Sequence, residues 1–303
     1  MRVLLIFLDG IGLGAGNPDV NPFSVANMPT LTGLTNGKRW LAGIGRQVSE
    51  RAVFRPIDPR MGVAGRPQSG TGHATIITGK NVPALTGKHY GPKPNAATRE
   101  IVAQGSFFRE VVAAGKQAAL LTAYPPFQLH DIERGKTLPS SFQRAAMDAG
   151  LPLRTADDLR AGKAISADWT SMGWRRHLGF ADMPLLSSQA SGERLAALAG
   201  DYDFAMVSHF FTDFVGHRGP LEDGISLLET FDAVMAGLLP AWDDEAGLIV
   251  VTSDHGNMED VSIRQHTEND VPLLAIGAGR GVFAERVTTL ADIVPALRHL
   301  LLA

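Results

Sequence analysis

Residues 248 to 251, Leu-Ile-Val-Val, form an unbroken apolar run that leads into Thr252-Ser253-Asp254-His255. A strand with one wet face would alternate polar and apolar residues, so a run like this one reads as a strand buried on both faces. Such strands are typical of α/β sheets covered by helices on both faces, the fold class expected here. Open α/β sheets place their ligands just past the carboxyl ends of the strands, and Asp254 and His255 stand at that position. Taken alone, Asp-His-Gly-Asn is also an ordinary turn. The same pattern returns elsewhere, and it is the repetition that counts.

Residues 3 to 8 are a second apolar run and stop at Asp9-Gly10. Residues 204 to 208 form a third, followed by His209, Asp213 and His217. One helical turn would bring Asp213 and His217, four residues apart, onto a common face, which is a chelating arrangement. His266 follows on a loop before an apolar stretch at 272 to 276. Carboxylates and imidazoles gathered at one sheet edge suit a borderline divalent cation such as Zn²⁺ or Mn²⁺.

Between these runs lies Gln68-Ser69-Gly70-Thr71-Gly72-His73, where a loop turns into a helix. A helix amino terminus offers unpaired N–H groups and the positive end of the dipole to an anion. Ser69 is therefore a candidate nucleophile; an N-cap role for it and Thr71 as the competing hydroxyl remain open at this point. The next loop gathers Lys80, Lys88, His89 and Lys93, either solvated charge or a phosphate-binding surface. Helices are expected over 106 to 114, 192 to 199, 222 to 239 and 288 to 301, with a strand over 117 to 123. The rhythm breaks from 125 to 186, which reads as an insertion placed to roof the site and choose the substrate.

Several classes are excluded. The chain has no cysteine, which removes thiolate metal sites, disulfides and cysteine nucleophiles. Its net charge of -3 over 303 residues, with Lys and Arg scattered, argues against a nucleic-acid or membrane surface. The glycines at 10, 12, 14 and 16 do not open a helix, so they are not a dinucleotide fingerprint. The first apolar run is too short for a signal peptide core, and a cytoplasmic location is expected.

Together the motifs Leu8-Asp9-Gly10, NPFSVANMPTLTGL, Ser69-x-x-Gly72-His73, Asp213-x-x-Gly216-His217, Ser253-Asp254-His255-Gly256-Asn257-x-Glu259 and His266-Thr267-x-Asn269-x-Val271-Pro272 carry a family resemblance. The chain resembles the alkaline phosphatase superfamily of two-metal enzymes, most of all its cofactor-independent phosphoglycerate mutase and phosphopentomutase branch. The resemblance implies a mostly parallel central sheet sandwiched by helices, formed by residues 1–124 and 187–303, with 125–186 as a small inserted cap. It implies one metal on Asp213, His217 and His266, and another on Asp9, Asp254, His255 and the Ser69 oxygen. Ser69 would be the nucleophile, with Lys88, His89 and Asn257 as candidates for touching the phosphate. Two divalent cations, Mn²⁺ or Zn²⁺, are the expected cofactors, and a small phosphorylated molecule the expected partner. The insertion is short compared with those of the mutases, which favours a phosphatase or phosphodiesterase. A phosphomutase is the alternative, and a non-catalytic binder of a phosphorylated ligand is a more distant one.

Overall fold

The computed structural model describes residues 1–302. Its centre is one seven-stranded sheet in the order β2-β3-β7-β6-β1-β5-β4, where β1 is Arg2–Leu8, β2 Gln47–Val48, β3 Ala52–Ile57, β4 Ala118–Leu120, β5 Phe204–His209, β6 Gly247–Thr252 and β7 Val271–Gly277. β6, β1, β5 and β4 are mutually parallel, as expected for strands separated by helical crossovers. β7 runs antiparallel to β6, and β3 antiparallel to β7, so the sheet is mixed. No helix lies between β6 and β7, and a return without a crossover helix gives an antiparallel neighbour.

Alternation along β1 explains its continuous apolar run. Val3, Leu5 and Phe7 enter one core, while Leu4, Ile6 and Leu8 enter the other. The first core is covered by Ser69–Thr78, Phe107–Ala113 and Ile293–Leu301, which contribute Ile76, Phe107 and Leu297 among others. The second is covered by Ser188–Ala199 and Leu221–Ala241, through Leu195, Leu228, Phe231 and Leu238. Leu221–Ala241 is long and apolar enough to cross a membrane by composition, but it packs against Ser188–Ala199 as a core helix.

The registers of β1 with its two neighbours fix the position of the site. Leu8 pairs with His209 of β5, and Phe7 with Thr252 of β6. Three adjacent strands thus end level with one another, and the residues just beyond them meet.

The sequence expectations differ from the structure in three places. The segment 125–186 contains four helices, of which Ser141–Asp148 sends Phe142, Ala145 and Ala146 into the first main core. Ala156, Leu159, Trp174 and Met183 form a smaller apolar cluster of their own with Ala123. β4 is shorter than expected because beyond it the chain pairs singly with this segment, Thr122 with Ile165 and Ala123 with Arg154. A further helix, Arg280–Arg286, carries too little periodicity in the sequence to be read there.

β5 ends on buried His209, whose Nδ1–H donates to the Ala167 carbonyl at 2.6 Å while the ring stacks on Trp169. Burial pushes its pKa down to about 4 from an ordinary 6.5, so the folded state holds the imidazole neutral. The unfolded chain binds a proton first as pH falls. The stabilisation is therefore complete above about pH 6.5 and is lost as pH drops from there toward 4. On passing from pH 7 to pH 5 this group alone is expected to remove about 2 kcal/mol of stability. Urea midpoints at the two pH values should show a shallower loss for His209→Gln than for the parent chain; parallel losses would contradict the assignment.

Candidate metal centre

Asp9 directly follows β1, and Asp254 and His255 directly follow β6. After β5 the chain enters the helix Phe211–Arg218, which presents Asp213 and His217 one turn apart. Ser69 opens the helix Ser69–Thr78 at the same edge, and its Oγ lies 2.9 Å from His255 Nε2. His266 arrives on the loop between β6 and β7 and stacks on His255 with centroids 3.7 Å apart. The structure thus brings all seven expected metal-binding positions into one cluster. Within it, Asp213, His217 and His266 form one group with ligand atoms mutually within 4.8 Å. Asp9, Asp213 and His255 form a second group, and Asp9, His73 and Asp254 a third.

Two glycines let the strands and helices approach this closely. Gly10 turns the chain at φ +70°, and a Cβ on it would lie 2.9 Å from the Asp213 Cα. A Cβ on Gly72 would lie 2.8 Å from the Asp254 Cβ. Any side chain at either position would push a carboxylate away.

Backbone carbonyls set the histidine tautomers. A carbonyl only accepts, so His217 Nδ1–H donates to Arg264 O at 3.0 Å and His266 Nδ1–H donates to Pro67 O at 2.8 Å. In their neutral form both rings turn a bare Nε2 toward Asp213, from which they lie 3.5 and 3.6 Å, with 3.1 Å between them. Two lone pairs facing each other beside a carboxylate repel unless a cation lies between them. Asn257 holds that carboxylate in place, its Nδ2 donating to Asp213 Oδ1 at 2.7 Å.

The second half of the cluster is more deeply buried. Asp254 is fully enclosed, neither of its oxygens has a hydrogen-bond partner, and Asp9 Oδ1 has none either. Buried carboxylates are costly unless positive charge is brought to them, which in this cluster His73 does at 3.2 and 3.3 Å, and the remaining unpaired oxygens leave room for more. Burial, then the neighbouring Asp254 charge, pushes the Asp9 carboxyl above its ordinary range. His255 is held down to about 4, by burial and then by His266. Neutral imidazoles and clustered oxygens are what a divalent cation requires, and the residues fit such ions.

His73 was quoted in the sequence only as part of a motif, with no role assigned. It stands one helical turn after Ser69, and its Nε2 reaches Asp254 at 3.2 Å and Asp9 at 3.3 Å. Burial would depress this imidazole, but the Asp254 and Asp9 charges outweigh it and hold it up to about 10. The i, i+4 spacing to Ser69 was the available signal.

Ser69 is not the helix cap. The N-cap position belongs to Gln68 and no side-chain cap bond forms, which leaves the Ser69 hydroxyl to His255. Thr71 is fully buried, and its Oγ1 accepts from the Tyr90 N–H at 3.2 Å, which ties it to the neighbouring loop. Of the two hydroxyls, Ser69 faces a cavity of about 320 Å³ that Asp9, His73, Lys93, Gln143 and Asp213 also line.

The three residues expected to touch phosphate do not line that cavity. Lys88 is exposed near the Tyr90 ring, and His89 Nε2 lies 3.2 Å from the Val63 carbonyl. Asn257 is fully buried behind Asp213. From the same basic loop it is Lys93, exposed as a residue, that lines the cavity, and partial burial lowers its ammonium pKa. Glu259 was also quoted without a role: its Oε2 accepts from Gly12 N–H at 3.0 Å and Asn257 N–H at 2.7 Å, and its Oε1 from Asn269. One buried carboxylate thus ties the loop after β1 to both ends of the β6–β7 loop. Arg66 and Arg264 lie on the outer side of His217 and His266.

With this geometry described, the comparisons place the chain. Its fold is that of the alkaline phosphatase-like α/β proteins: it superposes on the PH0037 protein from Pyrococcus horikoshii with a TM-score of 0.59 at 17% identity, covering 99% of this chain and 96% of that one. The TAB5 alkaline phosphatase gives a TM-score of 0.50 at 13% identity, covering 99% and 97%. Residues 183–303 match the model of the Metalloenzyme superfamily. The 2,3-bisphosphoglycerate-independent phosphoglycerate mutase of Methylobacillus flagellatus is 33% identical over 123 residues, 38% of this chain and 24% of the mutase. The match thus spans about a quarter of the relative's length.

Proposed function

We propose that the protein is a phosphoryl-transfer enzyme dependent on two divalent cations, with Ser69 as nucleophile. The observation that carries this reading is the position of the Ser69 hydroxyl: it stands at a helix amino terminus, 2.9 Å from His255, and opens into the cavity beside the Asp9 and Asp213 carboxylates. Asp213, His217 and His266 would hold one cation, and Asp9, Asp254, His255 and Ser69 the other, as Mn²⁺ or Zn²⁺. Bound cations supply a lowered serine pKa and neutralise charge on the phosphoryl oxygens. Ser69 Oγ bonds to phosphorus while the ester P–O bond breaks and the alcohol leaves. Water then attacks the phosphoserine, restoring the hydroxyl and releasing phosphate. Lys93, which lines the same cavity, would bring its positive charge to the phosphoryl oxygens.

A phosphomutase, in which a substrate hydroxyl takes the place of water, is the second reading. The mutase relatives favour it, and Arg66 and Arg264 beside His266 could hold a second anionic group. Incubating the Mn²⁺- or Zn²⁺-loaded protein with p-nitrophenyl phosphate, bis-p-nitrophenyl phosphate and 3-phosphoglycerate separates the readings. Release of p-nitrophenol and phosphate is expected. Conversion of 3- to 2-phosphoglycerate without phosphate release would favour the mutase, and no reaction with any of the three would overturn phosphoryl transfer.

A further inference from the structure

A second cavity of about 320 Å³ adjoins the first, and Gln128 and Phe210 line both. Its character is opposite to that of the metal-facing cavity. Phe127, Trp174, Leu178, Phe210 and Phe211 supply its walls, and neither Lys nor Arg lines it. Asp168 is its single carboxylate, and that charge is already engaged: it accepts from the Ser166 hydroxyl, from Ser171 N–H at 2.9 Å and from Gly173 N–H.

The segment that gives this cavity Ser166, Ala167, Asp168 and Gly173 is held in a conformation that the chain does not adopt freely. Trp169 and Ser171 both lie at φ +65°, in the left-handed region unfavourable to residues other than glycine. Ser191 donates to the Trp169 carbonyl at 2.9 Å, and His209 bonds Ala167 and stacks on Trp169. The core thus fixes the wall beside a cavity that is open at its mouth, where Phe127 is 59% and Phe210 44% exposed. Large aromatic side chains left in water beside a concave, mainly apolar and rigid surface, on which Asp168 and His177 are the only titratable side chains, mark a ligand site.

We propose that this cavity is the subsite for the alcohol portion of the substrate, and that the portion it takes is uncharged and apolar or aromatic. The assignment rests on the phosphoryl-transfer reading for the neighbouring cavity, because continuity with it through Gln128 and Phe210 is what identifies the occupant. A phosphate ester seated at Ser69 would extend its alcohol across Phe210. A glycerate group in that position would meet apolar rings and the Asp168 carboxylate, with no lysine or arginine to hold its own carboxylate. The preferred substrates are therefore phosphate esters of alcohols bearing a ring or an alkyl chain, rather than phosphoglycerates.

Non-hydrolysable phosphonates test the subsite independently of turnover. Calorimetry of the Mn²⁺-loaded protein with 2-phenylethylphosphonate and ethylphosphonate compares two ligands that differ only in the phenyl ring. The expected result is a Kd at least about tenfold tighter for the phenylethyl compound, a preference of the size hydrophobic pockets give. Phe127→Ala, at an exposed position, should erase most of that preference and leave ethylphosphonate binding unchanged. Equal affinities in the parent protein, or a preference that survives in Phe127→Ala, would overturn the proposal. Hydrolysis of p-nitrophenyl phosphate by a protein that binds both phosphonates equally would remove the subsite and keep the catalytic reading. A phenylethyl preference without turnover of any ester would do the reverse.

Discussion

Ser69→Ala is expected to reduce phosphoryl transfer by at least about a thousandfold, while the bound metal stays close to that of the parent chain. The loss should be large because a nucleophile cannot be replaced in part: without Oγ no phosphoserine forms. Metal retention is expected because Ser69 would be one donor among four on its cation, and the others, Asp9, Asp254 and His255, are held by strand ends and buried contacts. The alanine is also tolerated by the fold, since the helix Ser69–Thr78 takes no cap from this side chain. Phosphate release and elemental analysis on the same preparation check both halves. Near-parental activity would remove Ser69 from the mechanism.

Asp254→Asn carries the second large effect, with a different signature. The parent carboxylate is fully buried, has no hydrogen-bond donor on either oxygen, and lies within 3.3 Å of both His73 and His255. Asparagine keeps the volume and removes the charge, so the pull on a cation falls sharply in a site of low dielectric. Turnover is expected to drop by about a thousandfold or more, and here one cation per chain should be lost with it. The contrast between the two variants is the informative result. If Asp254→Asn retains full metal content, Asp254 is not a ligand and the grouping of Asp9, Asp254 and His255 around one ion fails.

Much of the cluster was legible before any coordinates because the strands that carry it are buried on both faces. Continuous apolar runs at β1, β5 and β6 mark their own ends, and the residues just beyond those ends, Asp9, Asp213 and Asp254, belong to the site. The spatial order β6-β1-β5 is not written in any local pattern, because it depends on pairings between residues two hundred positions apart. The reversed direction of β7 and the helices within 125–186 are likewise products of tertiary packing.

The basic loop shows where spacing runs out. Lys80, Lys88, His89 and Lys93 look alike in sequence, which points no more to Lys93 than to Lys88 or His89. Residues 90 to 93 pass so close to the start of the helix that a Cβ on Gly70 would lie 2.5 Å from the Tyr90 carbonyl. That proximity puts Lys93 on the lining of the cavity, while Lys88 stays in solvent near the Tyr90 ring. Asn257 is near His255 in the chain, but its side chain donates to Asp213 instead of lining the cavity. Glu259 and His73 act through other residues of the centre, a role that a search for ligands and nucleophiles passes over.

The central claim is that three carboxylates and three histidines beyond β1, β5 and β6 form a two-cation centre. Elemental analysis of the protein after equilibration with Mn²⁺ or Zn²⁺ and removal of free ions tests it most directly. Two ions per chain are predicted in the parent protein and one in Asp254→Asn. A parent chain that retains no metal, or retains the same amount after Asp254→Asn and after His217→Ala, would contradict the account.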